Sequence, residues 1–291
     1  MSASTTVQTS PLVSRRKKSF AHIRRHLVLI ITSFLMMYPV IWWIGASFKT
    51  TPELTQPTLF PEQLVWENYT LGWQVTARHS FTRFYLNSIY MGALIVVGSV
   101  FTASLVAYAF GRIRFKFRAF FFSIVLLTLM LPPQVLLVPQ YILWNRFGFI
   151  NSIVPLVLPS FFGGSSFFIF LLVQFIRGIP KDLDEAAKIE GCSTYGIYFR
   201  IIMPLIVPAL VTVAVFAFVW SWDNFFGHLL YLTSASLYTV PLGLRMFIDQ
   251  FEIQWGRLLA MSLVSIMPPA TVFFLAQKHF VEGIATTGLK G

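Results

Sequence analysis

Long apolar runs alternate with short polar breaks along most of the chain. The runs cover residues 27–48, 84–110, 119–139, 153–177, 205–227 and 257–277. Apolar residues are continuous within each run rather than alternating, which predicts helices, not strands. At about 1.5 Å of rise per residue, roughly 20 residues cross a hydrocarbon core of about 30 Å. A helix also satisfies its own backbone in lipid. The pattern therefore predicts an all-α membrane protein with six spans and a polar tail over residues 1–26.

That tail carries Arg15, Arg16, Lys17, Lys18, Arg24 and Arg25 ahead of the first run. A secretory signal also has a basic start and an apolar run. This run is too long for one and shows no small-x-small cleavage site, so it is read as a retained first span.

The loops set the orientation. Basic residues gather in the tail, at Arg112, Arg114, Lys116 and Arg118, at Arg177, Lys181, Lys188 and Arg200, and at Lys278 and Lys290. These are 16 of the 22 Lys and Arg. By the positive-inside rule both termini are cytoplasmic, and the chain is expected in a bacterial or archaeal inner membrane.

Composition agrees. Hydrophobic residues make up 56% of the chain and charged residues 11%, against about a quarter charged in soluble domains. The net charge of +11 lies in topology clusters rather than in a basic stripe, so no nucleic-acid partner is expected, and lipid is the expected surrounding. The one cysteine, Cys192, excludes a disulfide framework and is read as a helix-packing residue. The five histidines, at 22, 26, 79, 228 and 279, lie at or outside span ends. No catalytic dyad or metal set emerges, and no catalytic residue is assigned. There is no Walker A loop, so this chain supplies no ATP chemistry.

The external loop 49–83 carries Pro52, Pro57 and Pro61 with Trp66, Tyr69 and Trp73. It reads equally as a docking loop or as an interfacial aromatic belt.

The break at 178–204 is more structured. Pro180 and Asp182 are helix-start signals. Leu183, Ala186, Ala187 and Glu190 fall three or four residues apart and predict one helical stripe. Gly191 suits a C′ position with positive φ. Ser193 suits the cap of a second helix running to Met203, with Pro204 at the turn into the fifth run. The acids at 182, 184, 185 and 190 argue against a helix resting on anionic headgroups.

Glu185-Ala186-Ala187, then Gly191 after three residues, then Ile201 after nine more and Pro204 three positions on, resembles the EAA loop of ABC importer permeases. Met203 replaces the usual leucine. Phe218 to Phe225, with Trp220, Trp222, Asp223 and Asn224, resembles a segment of the carbohydrate branch and its smaller, maltose-type permease. The ending Phe280-Val281-Glu282-Gly283, then Gly288 to Gly291, is similar to that branch's tail. The resemblance implies the type I ABC importer permease fold, with six transmembrane helices and a cytoplasmic EAA coupling helix.

It further implies coupling residues Asp182, Glu185, Ala186, Ala187, Gly191 and Pro204. The implied partners are a second homologous permease, two cytoplasmic ATPase subunits that hold ATP and Mg, and an extracytoplasmic solute-binding protein. The implied function is half of a translocation path for a sugar or oligosaccharide. An ion-coupled secondary transporter and an importer of another solute are the alternatives.

Asp223 is the one acid placed inside a run. It either faces a partner helix or a wet cavity, or is solvated at the external end. Trp220, Asn224 and Phe225 are candidates for the path beside it. Gly163 and Gly164 either pack against the partner permease or open a kink that lines the path.

Overall fold

Small residues at four-residue intervals decide how the bundle packs. The computed structural model describes residues 12–76, 78–248 and 253–288, with side chains from residue 24 to residue 278 within them. The first helix, α1 (Leu12–Ala46), contains Pro39. From residue 27 to residue 38 its apolar side chains are exposed on every side. Trp43 Nε1 anchors its far end by donating to Leu259 O at 3.2 Å.

The short helix α2 (Glu67–Trp73) lies in the loop that follows. Lys49 is buried there, and its Nζ donates to Thr58 O at 2.5 Å and Thr58 Oγ1 at 2.8 Å. Asn68 Nδ2 donates to Ser47 O and Lys49 O, each at 3.0 Å. The loop is thus tied to the end of α1. Phe48, Trp66 and Tyr69 form a ring cluster beside these bonds.

Helix α3 (Phe81–Arg112) is the central span. Ser99, Ala103, Ala107 and Gly111 repeat every four residues along one buried face. Stripes of this kind let helix backbones approach in a membrane. A Cβ on Gly111 would lie 2.6 Å from Ile176 Cγ2, and one on Gly98 would lie 2.5 Å from Ser160 Oγ. The neighbours so admitted are the helix Ser166–Gly178 and the 3-10 turn Leu158–Phe162 ahead of it, described next.

The third run is not one straight helix. It forms α4 (Arg118–Leu129) and α5 (Pro133–Arg146), which meet at 102°. Pro132 and Pro133 cause the break. Proline bars the helical conformation from the residue before it and lacks the N–H that would continue the ladder.

The fourth run is also interrupted, into α6 (Val154–Val157), a 3-10 turn over Leu158–Phe162, and α7 (Ser166–Gly178). Two short helices follow, α8 (Asp182–Ile189) and α9 (Thr194–Ile197), then a π-helical turn over Tyr198–Ile202 and α10 (Met203–Leu205). The fifth run is α11 (Val207–Trp222). It stops short of 227, and the segment Thr194–Leu205 meets it at 76°. Beyond it come α12 (Phe225–Tyr231), α13 (Val240–Arg245), α14 (Trp255–Ser265) and α15 (Met267–Gly288).

Four helical stretches are long and apolar enough to cross a membrane, and six are if each bent pair counts as one span. Among the described residues the only β pairing is an isolated bridge between Ile248 and Ile253. The main core joins α3, α7 and α11 through Ala107, Phe168, Leu172, Ile176, Ile206 and Val213. A second core at the opposite end of α3 is built on Phe81, Phe84, Trp222, Val240 and Met261. The C-terminal residues 289–291, part of the tail resemblance, and residues 1–11 of the basic tail lie outside the described residues. The side chains of Arg15 to Lys18 and of Phe280 to Gly283 do too.

Candidate functional site

The segment 180–204 folds into a two-helix knob at the end of the bundle that carries Arg112, Arg114, Lys116 and Arg118. Helix α8 starts at Asp182, two residues after Pro180, with Asp182, Asp184 and Glu185 in its first turn and Lys188 in its last. That order opposes the helix dipole at both ends and stabilises so short a helix.

The helix ends in a Schellman turn. Gly191 has φ +82, its N–H donates to Lys188 O at 3.0 Å, and Cys192 N–H donates to Ala187 O at 2.9 Å. Glycine is favoured there because a Cβ is disfavoured at that φ. Ser193 then caps α9, its Oγ accepting from Gly196 N–H at 3.1 Å. Pro204 lies in the short helix leading to the 76° bend.

One face of the knob is turned out. Leu183, Ala186, Glu185, Asp182 and Glu190 are exposed. Ile189 is 87% exposed and Tyr195 76%. A cleft of about 590 Å³ opens beside the glycine bend, lined by Gly191, Cys192, Tyr195, Phe199 and Arg200. Large apolar side chains at such exposure, ringed by acids, mark an interaction surface rather than a solvated loop.

The other face is held against the bundle by a residue pair that periodicity alone did not single out. Arg112 Nε lies 3.2 Å from Asp184 Oδ2, with side chains only 4% and 12% exposed. Arg112 also donates from Nη2 to Ile179 O at 2.8 Å. Tyr108 OH donates to Thr194 O at 3.0 Å, and the hydroxyls of Ser104 and Tyr198 share a bond of 2.8 Å. Ala187 is buried in the core against these rings.

Three residues of the expected stripe, Leu183, Ala186 and Glu190, share the outward face, and the fourth, Ala187, turns inward. The inward pair is Asp184 and Ala187, three residues apart, because the guanidinium on α3 draws Asp184 in. The unpaired basic residue at the end of the second run was the available signal for this.

The remaining candidates divide into two groups. Gly163 adopts φ +72 and ends the 3-10 turn, and a Cβ on Gly164 would lie 2.5 Å from Pro159 O. The pair therefore breaks the helix. Trp220 is brought to this break, half-exposed, with its ring stacked on Phe168 at 5.1 Å and 15°.

Asp223, Asn224 and Phe225 sit beyond the end of α11. Asp223 is the C-cap residue of that helix and is exposed on the single chain. Asn224 Oδ1 accepts from Gly227 N–H at 3.0 Å and starts α12. Phe225 packs on the small core of Met91, Val157 and Leu242. Cys192, half-buried, packs against the main core. Among the described residues no three His, Cys, Asp or Glu side chains are placed to hold a metal ion.

Residues 99–286 match the family model described as the binding-protein-dependent transport system inner membrane component. The chain is 33% identical to the probable ABC transporter permease protein YurM of Bacillus subtilis (strain 168), over 95% of this chain and 91% of that one. It is also 33% identical to the arabinooligosaccharides transport system permease protein AraQ of Halalkalibacterium halodurans, over 89% and 93%. Its fold matches a chain of the crystal structure of a bacterial ABC transporter involved in import of the acidic polysaccharide alginate. That match has a TM-score of 0.76 at 21% identity and covers 94% of this chain and all of the other. With the matched segment running from the middle of α3 through the knob to α15, the chain belongs to the inner-membrane components of binding-protein-dependent transport systems.

Proposed function

We propose that this chain is one of two permease subunits in an ATP-driven importer of a sugar or oligosaccharide, and that residues 180–204 couple it to a cytoplasmic ATPase. Both termini lie in the cytoplasm. Two ATPase subunits bind ATP and Mg, and an extracytoplasmic binding protein delivers the solute. The observation that carries this is the outward face of the knob. Ile189, Tyr195, Leu183 and Ala186 are exposed around the Gly191 bend, with Asp182, Glu185 and Glu190 at their rim.

Each side chain has a role in that contact. The small Ala186 lets the helix backbone enter a socket, Ile189 and Tyr195 supply apolar anchors, and Glu185 offers a charge to a basic partner group. Ala187, Gly191 and Pro204 set the angle of the knob from within. ATP-driven closure of the ATPase pair then displaces the knob as a rigid body. The sugar class rests on relatives such as the arabinooligosaccharide permease. Trp220 beside the Gly163–Gly164 break is the candidate wall of the path, with Asp223, Asn224 and Phe225 at its outer end.

The test is affinity purification of the tagged chain from its own membranes, followed by uptake in vesicles. The expected result is co-purification of an ATPase with a second permease, and uptake of arabino- or malto-oligosaccharides that survives collapse of the proton gradient while ATP is kept. Glu185→Lys should insert normally and abolish uptake. Uptake that stops with the gradient and ignores ATP would point to an ion-coupled carrier instead.

A further inference from the structure

The knob has two routes to the spans, and they differ in stiffness. Its covalent route to α11 passes the glycine bend, the π-helical turn and the 76° break at Pro204 and Ile206. A π turn and a bend of that size interrupt the regular helical ladder, and π turns are frequent at functional sites. Its non-covalent route to α3 is short and dense. Arg112 is the last residue of α3, and its guanidinium meets both Asp184 of α8 and Ile179 O at the end of α7. One side chain thus ties three elements at one point.

Gly111 seats α3 directly on Ile176 of α7. Tyr108 and Ser104 add bonds to Thr194 and Tyr198 further up α3. This is the only ion pair among the described residues.

We infer that the Arg112–Asp184 pair is a latch that makes α3 and α7 move with the knob, so that force received there reaches the central span rather than being absorbed at the bends. Arg112 and Asp184 are positioning residues. Neither lies on the outward face of the knob. The inference rests on the coupling role proposed above.

Its chemistry is specific. A buried guanidinium facing a buried carboxylate is strong only while both are present, because removing one leaves the other charged and unpaired. Asp184→Asn keeps the shape and a hydrogen-bonding oxygen but removes the charge.

The experiment uses the whole complex in nanodiscs with Cys192→Ser, which leaves the chain without native cysteine. MgATP hydrolysis is measured with and without the complex's own binding protein. For Asp184→Asn the ATPase should still co-purify, while stimulation by the binding protein falls about fivefold or more, the ratio set by a loss on the scale of one weak interaction. The double exchange Arg112→Asp with Asp184→Arg should recover most of the stimulation. So should Arg112→Cys with Asp184→Cys once bridged by a short bis-maleimide, though not before bridging.

Normal stimulation in Asp184→Asn would overturn the latch. So would a bridged complex that stays assembled but unstimulated, since the two residues would then have to part during the cycle. An Asp184→Asn complex that falls apart overturns it as well, because the pair would then be a folding contact. If no ATPase co-purifies even with the unaltered chain, the coupling role itself fails, and the latch with it.

Discussion

Replacing Gly191 should weaken the grip of the ATPase without disturbing the spans, by an amount that backbone conformation sets. A Cβ at this position meets no atom within 4 Å. Substitution therefore creates no clash, and the cost is that of holding an L-residue at φ +82. For alanine that cost is about 1–2 kcal/mol. The knob presents Leu183, Ile189 and Tyr195 on one face only while the Schellman turn is closed, so the cost falls on the docking-competent conformation. One to two kcal/mol corresponds to a factor of roughly 5–30 in that population, and the apparent affinity drops by the same factor.

Asparagine tolerates the left-handed region better, and Gly191→Asn should lose roughly a third of that penalty or more. Proline fixes φ near −65° and also removes the N–H that donates to Lys188 O, so Gly191→Pro should abolish docking. The assay is titration of the purified ATPase onto the permease pair in nanodiscs, with circular dichroism to confirm that helix content is unchanged. Equal affinity for Gly191→Ala and the unaltered chain, or tolerance of proline, would refute the reasoning.

Three further outcomes follow from the same structure. Ser193→Ala removes the cap that accepts from Gly196 N–H and should cost about 1 kcal/mol locally, seen as faster amide hydrogen exchange over 194–197 and not in α3. Gly98→Val would place a Cβ 2.5 Å from Ser160 Oγ, and overpacking of this kind costs about 1–3 kcal/mol, read as a lower thermal midpoint in detergent. Glu53 accepts from Glu62 N–H at 2.8 Å and Thr50 N–H at 3.0 Å, and these bonds hold its carboxyl below the ordinary value of 4.5. A depressed carboxyl stabilises the fold above that ordinary value and loses the effect as pH falls through the lowered one. Limited proteolysis of loop 50–66 should therefore quicken in acid for the unaltered chain, and show no such step in Glu53→Gln.

The sequence made the knob readable because its geometry is local. Pro180, Gly191 and Ser193 act through their own backbone or a neighbour three residues away, so spacing alone placed both helix ends and the joint. The third run was readable as apolar but not as bent, and the fifth was not readable as ending at Trp222. Hydropathy averages over Pro132 and Pro133, and over Asn224, each of which governs a single peptide group rather than the character of the run. The inward face of α8 was not legible. Leu183, Ala186 and Glu190 lie together as their spacing suggests, on the outward face, but burying a carboxylate in preference to a leucine reverses the usual order of cost. What reverses it is Arg112, far away in sequence on α3, whose own buried charge needs Asp184 as much as Asp184 needs it. The choice of which face of the knob turns outward is therefore made by a pair of charges on two different helices. That explains why the exposed face is free to be apolar: the electrostatic contact already fixes the helix, and Ile189 and Tyr195 are left over for a partner.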